Sequence, residues 1–75
     1  MIPKNLDTLS EFEVAQLLRC LEHQERAVIR LRFGLPGGQS MTMKDIGKAM
    51  SITREEVRQI EINAMVKLGW IRLVA

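Results

Sequence analysis

The run Thr42-Met43-Lys44-Asp45-Ile46-Gly47-Lys48-Ala49-Met50-Ser51-Ile52-Thr53-Arg54-Glu55-Glu56-Val57-Arg58-Gln59-Ile60 decides how this chain folds, because two helix starts follow each other closely in it. Thr42 predicts an N-cap for a short helix over 43–50, with Asp45 placed both to reach back to the cap and to sit at the positive helix end. Thr53 followed by Glu56 has the form of a capping box. Behind it Val57, Ile60, Ala64 and Leu68 fall at helical spacing, so the last helix is expected over about 54–68. Only Ser51, Ile52 and Thr53 separate the two helices, too few for a long antiparallel pair and suited to a steep crossing of the helix-turn-helix kind. With that crossing, Ile46, Met50, Ile52, Val57 and Ile60 can meet in one small core. Gly47 then stands where the incoming helix needs a residue without bulk.

The geometry leaves Arg54, Glu55, Arg58 and Gln59 facing outward at the start of the last helix, as two i,i+4 pairs in one polar patch. Their chemistry suits base edges. Arginine can donate twice to guanine, glutamine can pair with adenine in bidentate fashion, and glutamate can accept from the exocyclic amine of cytosine, all in a major groove wide enough for a helix. For an arbitrary charge-rich helix a plain solvated face is the better explanation; the preceding turn reverses that preference. Arg32, Lys44 and Lys48 fall on segments beside this helix and are candidate phosphate contacts, together with Thr42 and Met43, where a helix N-terminus offers free backbone N–H donors. Arg26 and Arg30 fit solvated surface at least as well.

Upstream, Val14, Leu17, Leu18 and Leu21 recur at helical spacing behind a Ser10/Glu13 capping box, predicting a first helix over about 11–21. A second stripe at Val28, Ile29, Leu31 and Phe33 is expected to stop at Phe33, before Gly34 and Pro36. No strong breaker separates these two helices; the boundary is placed near Glu22-His23. Pro36-Gly37-Gly38-Gln39-Ser40 is turn material. Alternation typical of β-strands is absent, so the expected fold is all-α, four short helices around one core in a single domain over 1–75, with the helix-turn-helix near 42–68 and an apolar tail over 69–75.

Seventy-five residues allow one domain of marginal stability. No apolar run is long enough to cross a bilayer and no secretory leader is evident, which predicts a soluble, cytoplasmic protein. The single cysteine, Cys20, cannot close an internal disulfide and is expected as a small core or half-buried residue rather than a catalytic thiol. Charge is unevenly spread. Through residue 25 two cations (Lys4, Arg19) face five acids, a net of −3; from residue 26 nine cations face four acids, a net of +5, and that basic part is the one to match with a polyanion. His23 has no second ligand in a metal spacing and is expected in a turn or on the surface, so neither a metal nor another cofactor is expected. One histidine, one cysteine, no glycine-rich phosphate loop and no paired acids in a plausible cleft argue against an enzyme.

Arg32-Phe33-Gly34-Leu35, then Thr42 through Gly47, then Ile52-Thr53-Arg54-Glu55 with Val57-Arg58-Gln59-Ile60-Glu61, Ala64 and Lys67-Leu68, together resemble region 4, the C-terminal domain of bacterial primary-type sigma factors of RNA polymerase, over roughly residues 8–68. The resemblance implies recognition of the promoter minus-35 element in double-stranded DNA, with Arg54, Glu55, Arg58 and Gln59 at the family's base-reading positions. It also implies docking on the β-subunit flap of the polymerase through an apolar groove, for which Leu17, Leu18, Leu21, Val28 and Ile29 are candidates or else plain core. Anti-sigma and activator proteins are further candidate partners. The chain departs from the family pattern at Glu56, where arginine is usual, at Asn63, where lysine is usual, at Gln24-Glu25 in place of Arg-Glu, and in the tail Gly69-Trp70-Ile71-Arg72-Leu73-Val74-Ala75, which is expected to pack on the body of the domain. An interaction module that has given up DNA, and a stand-alone dimeric regulator, are the alternatives.

Overall fold

The computed structural model describes residues 9–35 and 38–71; the expected turn residues Pro36 and Gly37 and the tail from 72 to 75 lie outside them. Four α-helices, α1 (Glu11–Leu17), α2 (His23–Phe33), α3 (Met43–Met50) and α4 (Arg54–Lys67), make up the regular structure, with no strand among the described residues. The expected caps form. The Ser10 hydroxyl accepts from the Glu13 N–H at 3.2 Å while the Glu13 carboxylate accepts from the Ser10 N–H at 3.0 Å. Thr53 and Glu56 exchange the same pair of bonds at 2.9 and 3.0 Å, and Thr42 accepts from Asp45 at 3.1 Å. Each bond satisfies a donor that the first turn of a helix would otherwise leave open.

The first helix is shorter than its apolar stripe suggested. It ends at Leu17, and the chain turns over residues 18–20, with the Leu21 N–H donating to the Leu18 carbonyl at 3.0 Å. That turn lets Leu18 and Leu21 both enter the core, and it swings Cys20 out to solvent, against the expectation of a core or half-buried thiol. A cap at Glu22, whose N–H donates to Glu25 Oε1 at 3.0 Å, then starts α2. At their other ends α2 and α3 close with one left-handed residue each, Gly34 and Ser51, and Gly69 takes the same conformation just beyond α4. At all three the next N–H reaches back five residues: Leu35 to Arg30, Ile52 to Gly47 and Trp70 to Met65, each at 2.8–2.9 Å. Such bonds satisfy carbonyls at the helix end and turn the chain sharply.

Side chains gather in two apolar clusters. Val14, Leu18, Leu21, Ile29, Leu35, Ala64 and Trp70 form the first, and Val28, Ile46 and Val57 the second, with Met50, Ile52 and Ile60 packed around it as the stripe predicted. Helices α2 and α4 contribute to both, so their packing joins the two halves. Trp70 is 7% exposed and meets the Phe33 ring edge-to-face with centroids 5.5 Å apart, placing the start of the tail on the body of the protein as expected. Across the α2–α4 seam, Glu25 Oε1 also accepts from Lys67 Nζ at 2.9 Å. Burial alone would raise the Glu25 carboxyl, but the Glu22 N–H and the Lys67 ammonium outweigh it and hold the carboxyl below its ordinary value.

Gly47 is where α3 meets the chain leading into α4: a Cβ there would lie 2.8 Å from the Ile52 carbonyl oxygen and 3.5 Å from the Arg54 nitrogen, both backbone atoms that cannot rotate away. Gly47→Ala is therefore expected to lower unfolding free energy by about 1–3 kcal/mol, and the melting temperature by roughly 4–8 °C for each kcal/mol. Ser51→Gly should do the opposite. It removes a side chain from a left-handed position, a gain of about 0.5–1 kcal/mol after the greater freedom of glycine in the unfolded chain is offset. Thermal melts of both variants check this pair, and equal melting temperatures would contradict the crowded elbow.

Acid should weaken the fold in a defined window. Hydrogen bonds from the Ser10 backbone and hydroxyl hold Glu13 below its ordinary value, those from Thr53 do the same for Glu56, and Glu25 is lowered as described. Carboxyls depressed in the folded state stabilise it fully above the unfolded value of about 4.3 and lose that contribution as pH falls through the lower folded values. Urea midpoints measured from pH 7 to pH 2.5 are expected to hold nearly level to about pH 5 and then fall; a midpoint that rose on acidification would contradict these assignments.

Candidate nucleic-acid interface

Beyond the elbow at Ser51–Thr53, the first turns of α4 turn one face to solvent. Arg54, Glu55, Arg58 and Gln59 are all exposed there, while Val57 between them is fully buried against Ile46 and Val28. The patch is ordered by its own bonds. Arg58 Nε donates to both Glu55 carboxylate oxygens at 3.0 and 3.1 Å, and Gln59 Nε2 donates to Asn63 Oδ1 at 3.3 Å. The hydrogen bond and charge of Arg58 draw the Glu55 carboxyl below its ordinary value, and Glu55 raises Arg58 in return. These pairs leave acceptors and donors on one exposed face, the combination that base edges in a groove can engage.

Beside the patch lie two adjoining depressions. Met43, Arg54, Glu55 and Arg58 line one; Arg32, Thr42, Met43, Lys44 and Arg54 line the other. The second brings three cations to the N-terminus of α3, the positive end of the helix. Of the phosphate candidates, Arg32, Thr42, Met43 and Lys44 thus share one place, whereas Lys48, exposed near the end of α3, lines neither depression. Glu56, the acid at a position where a cation was the pattern, has its carboxylate turned to the Thr53 N–H at the start of its own helix.

The apolar docking candidates do not form one surface. Leu18, Leu21, Val28 and Ile29 are buried, at most 3% exposed, and Val28 belongs to a different cluster from the other three. Leu18, Leu21 and Ile29 lie in the cluster with Trp70 and Val28 lies against Ile46 and Val57, so of the five candidates only Leu17 retains partial exposure. Among the described residues the exposed large apolar side chain is instead Phe12, 71% exposed, in a shallow depression with Leu9, Glu13, Gln16, Leu17 and Arg19. Its signal in the sequence is an aromatic residue standing off the Val14-Leu18-Leu21 stripe. A bond network that the spacing of residues does not reveal also frames the interface: Arg32 Nε donates to Glu61 Oε2 at 2.9 Å and its Nη1 to the Met41 carbonyl at 3.2 Å.

Comparison with known proteins agrees with this arrangement. The model of the family described as Sigma-70, region 4 matches residues 17–68, which takes in α2, α3 and α4 whole. Among curated relatives, the protein named RNA polymerase sigma factor SigA of Clostridium acetobutylicum is 43% identical over 56 residues, 75% of this chain and 15% of the relative. The SigA of a Bacillus species shows the same identity and coverage, 43% over 56 residues. The chain therefore spans about 15% of the length of the relatives it matches. With the elbow, the four-helix order and the matched span in agreement, the chain belongs to the sigma-70 region 4 family.

Proposed function

We propose that this protein recognises the minus-35 element of promoter DNA in transcription initiation, laying the start of α4 in the major groove while docked on the β-subunit flap of RNA polymerase. One observation carries the DNA half of this reading: Arg54, Glu55, Arg58 and Gln59 are exposed together just beyond the elbow, next to a depression lined by Arg32, Lys44 and Arg54. Base contacts from the first group select sequence, and Lys44 at the start of α3 sets register on the phosphates. Relatives named as RNA polymerase sigma factors support the polymerase half. The partly exposed apolar depression around Phe12 and Leu17 is the surface available to a protein partner.

That same depression favours a second reading, a module that engages the flap or a regulator of sigma factors with little affinity for DNA. Titration of the full chain with a promoter duplex and with a flap-tip fragment, at one stated salt concentration, separates the two. Duplexes with and without a minus-35-like hexamer are expected to differ in affinity, and Arg58→Ala should lower cognate binding roughly ten- to a hundredfold with helicity unchanged. If Arg58→Ala binds the cognate duplex as tightly as the parent, α4 does not read bases.

A further inference from the structure

Arg32 sits in the last turn of α2, beside the cationic depression, where a phosphate contact is the obvious assignment. Its guanidinium is already committed. The Nε–H donates to Glu61 Oε2 at 2.9 Å, and Nη1 donates to the Met41 carbonyl at 3.2 Å. The Glu61 side chain is only 12% exposed and has no other cationic partner among the described residues. Met41 in turn is held from both sides by the end of α2, because its N–H donates to the Leu31 carbonyl at 2.9 Å while its own carbonyl accepts from Arg32. Met41 immediately precedes Thr42, the N-cap of α3. One side chain therefore joins the end of α2, the start of α3 and the middle of α4.

The place of Glu61 on α4 gives that junction a consequence. Arg54 and Glu61 are seven residues apart, so they lie on one stripe of the helix, with Arg58 on the neighbouring stripe. Holding Glu61 fixes the rotation of α4 about its axis and hence the direction in which Arg54 and Arg58 are presented. We propose that Arg32 is a positioning residue for base recognition: it seats α3 and sets the rotation of α4 through Glu61, and it contributes to discrimination between sequences rather than to attraction for the backbone. The proposal rests on the promoter-reading role of α4 argued above. Lysine cannot replace it. An ammonium keeps the charge but lacks the planar fork that places two donors at fixed angles on a carboxylate and a carbonyl.

The test measures binding of the full chain to cognate and non-cognate duplexes across a salt series for the parent, Arg32→Lys, Glu61→Gln, the double variant and Lys44→Ala, with helicity and melting recorded for each. Arg32→Lys is expected to lose about tenfold in the ratio of cognate to non-cognate affinity, with the slope of log affinity against log salt unchanged. Glu61→Gln should lose a similar amount, and the double variant little more than either, because both act through one contact. Lys44→Ala, a phosphate candidate, should instead reduce the salt slope by about one and weaken both duplexes alike. The positioning role is overturned if Arg32→Lys keeps the parent ratio, if Arg32 variants behave like Lys44→Ala, or if Glu61→Gln leaves discrimination intact. Should Arg32→Lys not fold, the Glu61→Gln comparison decides by itself, since no phosphate contact would be lost with that acid. A parent chain that fails to discriminate at all would overturn the promoter reading, and this inference with it.

Discussion

The approach of the Gly47 backbone to the Ile52 carbonyl governs the rest of the molecule. A helix-turn-helix works only if its second helix leaves the first at a steep angle within a few residues, and here a glycine without a side chain and a left-handed Ser51 provide that angle. Once the chain has turned, Thr53 and Glu56 have no choice but to open a new helix, because the exposed first-turn N–H groups need acceptors. Val57 then falls against Ile46 and Val28, and its neighbours in sequence face solvent. The exposure of the polar patch is thus the other side of the burial of Val57. A straight continuation through residues 51–53 would spread the same side chains around a single helix and leave no small core beneath them.

Two clusters share the work of keeping that elbow in place. The second is small, three buried residues with a ring of half-buried methionine, leucine and isoleucine side chains, and it lies under the first turns of α4. The first is larger and takes in Ala64, further along α4, and is closed by Trp70 and Phe33. Polar contacts run along the seam between those two helices, Arg32 to Glu61 and Lys67 to Glu25. Both acids are largely buried, and a buried carboxylate is tolerated only when its oxygens find donors. The seam is consequently specific as well as apolar, and it restrains how α4 can slide or roll on α2.

What the sequence disclosed was local. The caps at Ser10, Thr42 and Thr53, the stop at Gly34 and the crowding at Gly47 depend on residues a few positions apart, and all are in the structure as their spacing implied. The exposed quartet on α4 was legible for the same reason, since helical periodicity places Val57 and Ile60 inward and leaves the others out. What stayed hidden joins distant positions: Arg32 with Glu61 is separated by 29 residues and Glu25 with Lys67 by 42, and no periodicity marks such partners. The end of α1 was hidden by a stripe that continues past the helix, because Leu18 and Leu21 are brought inward by a turn instead of by another helical turn. Of the docking candidates that the resemblance suggested, Leu18, Leu21, Val28 and Ile29 are core, the other role that the sequence left open for them.

The placement of Trp70 has an optical consequence. It is the only tryptophan in the chain, and no tyrosine accompanies it. Its ring lies in the first cluster against Phe33, with residues of α1, α2 and α4 around it, whereas the Val28-Ile46-Val57 cluster beneath the start of α4 holds no chromophore of its own. Intrinsic emission therefore watches one end of the molecule and is blind to the other, so a fluorescence transition that leads or lags the loss of helical ellipticity would mean that the two ends come apart separately.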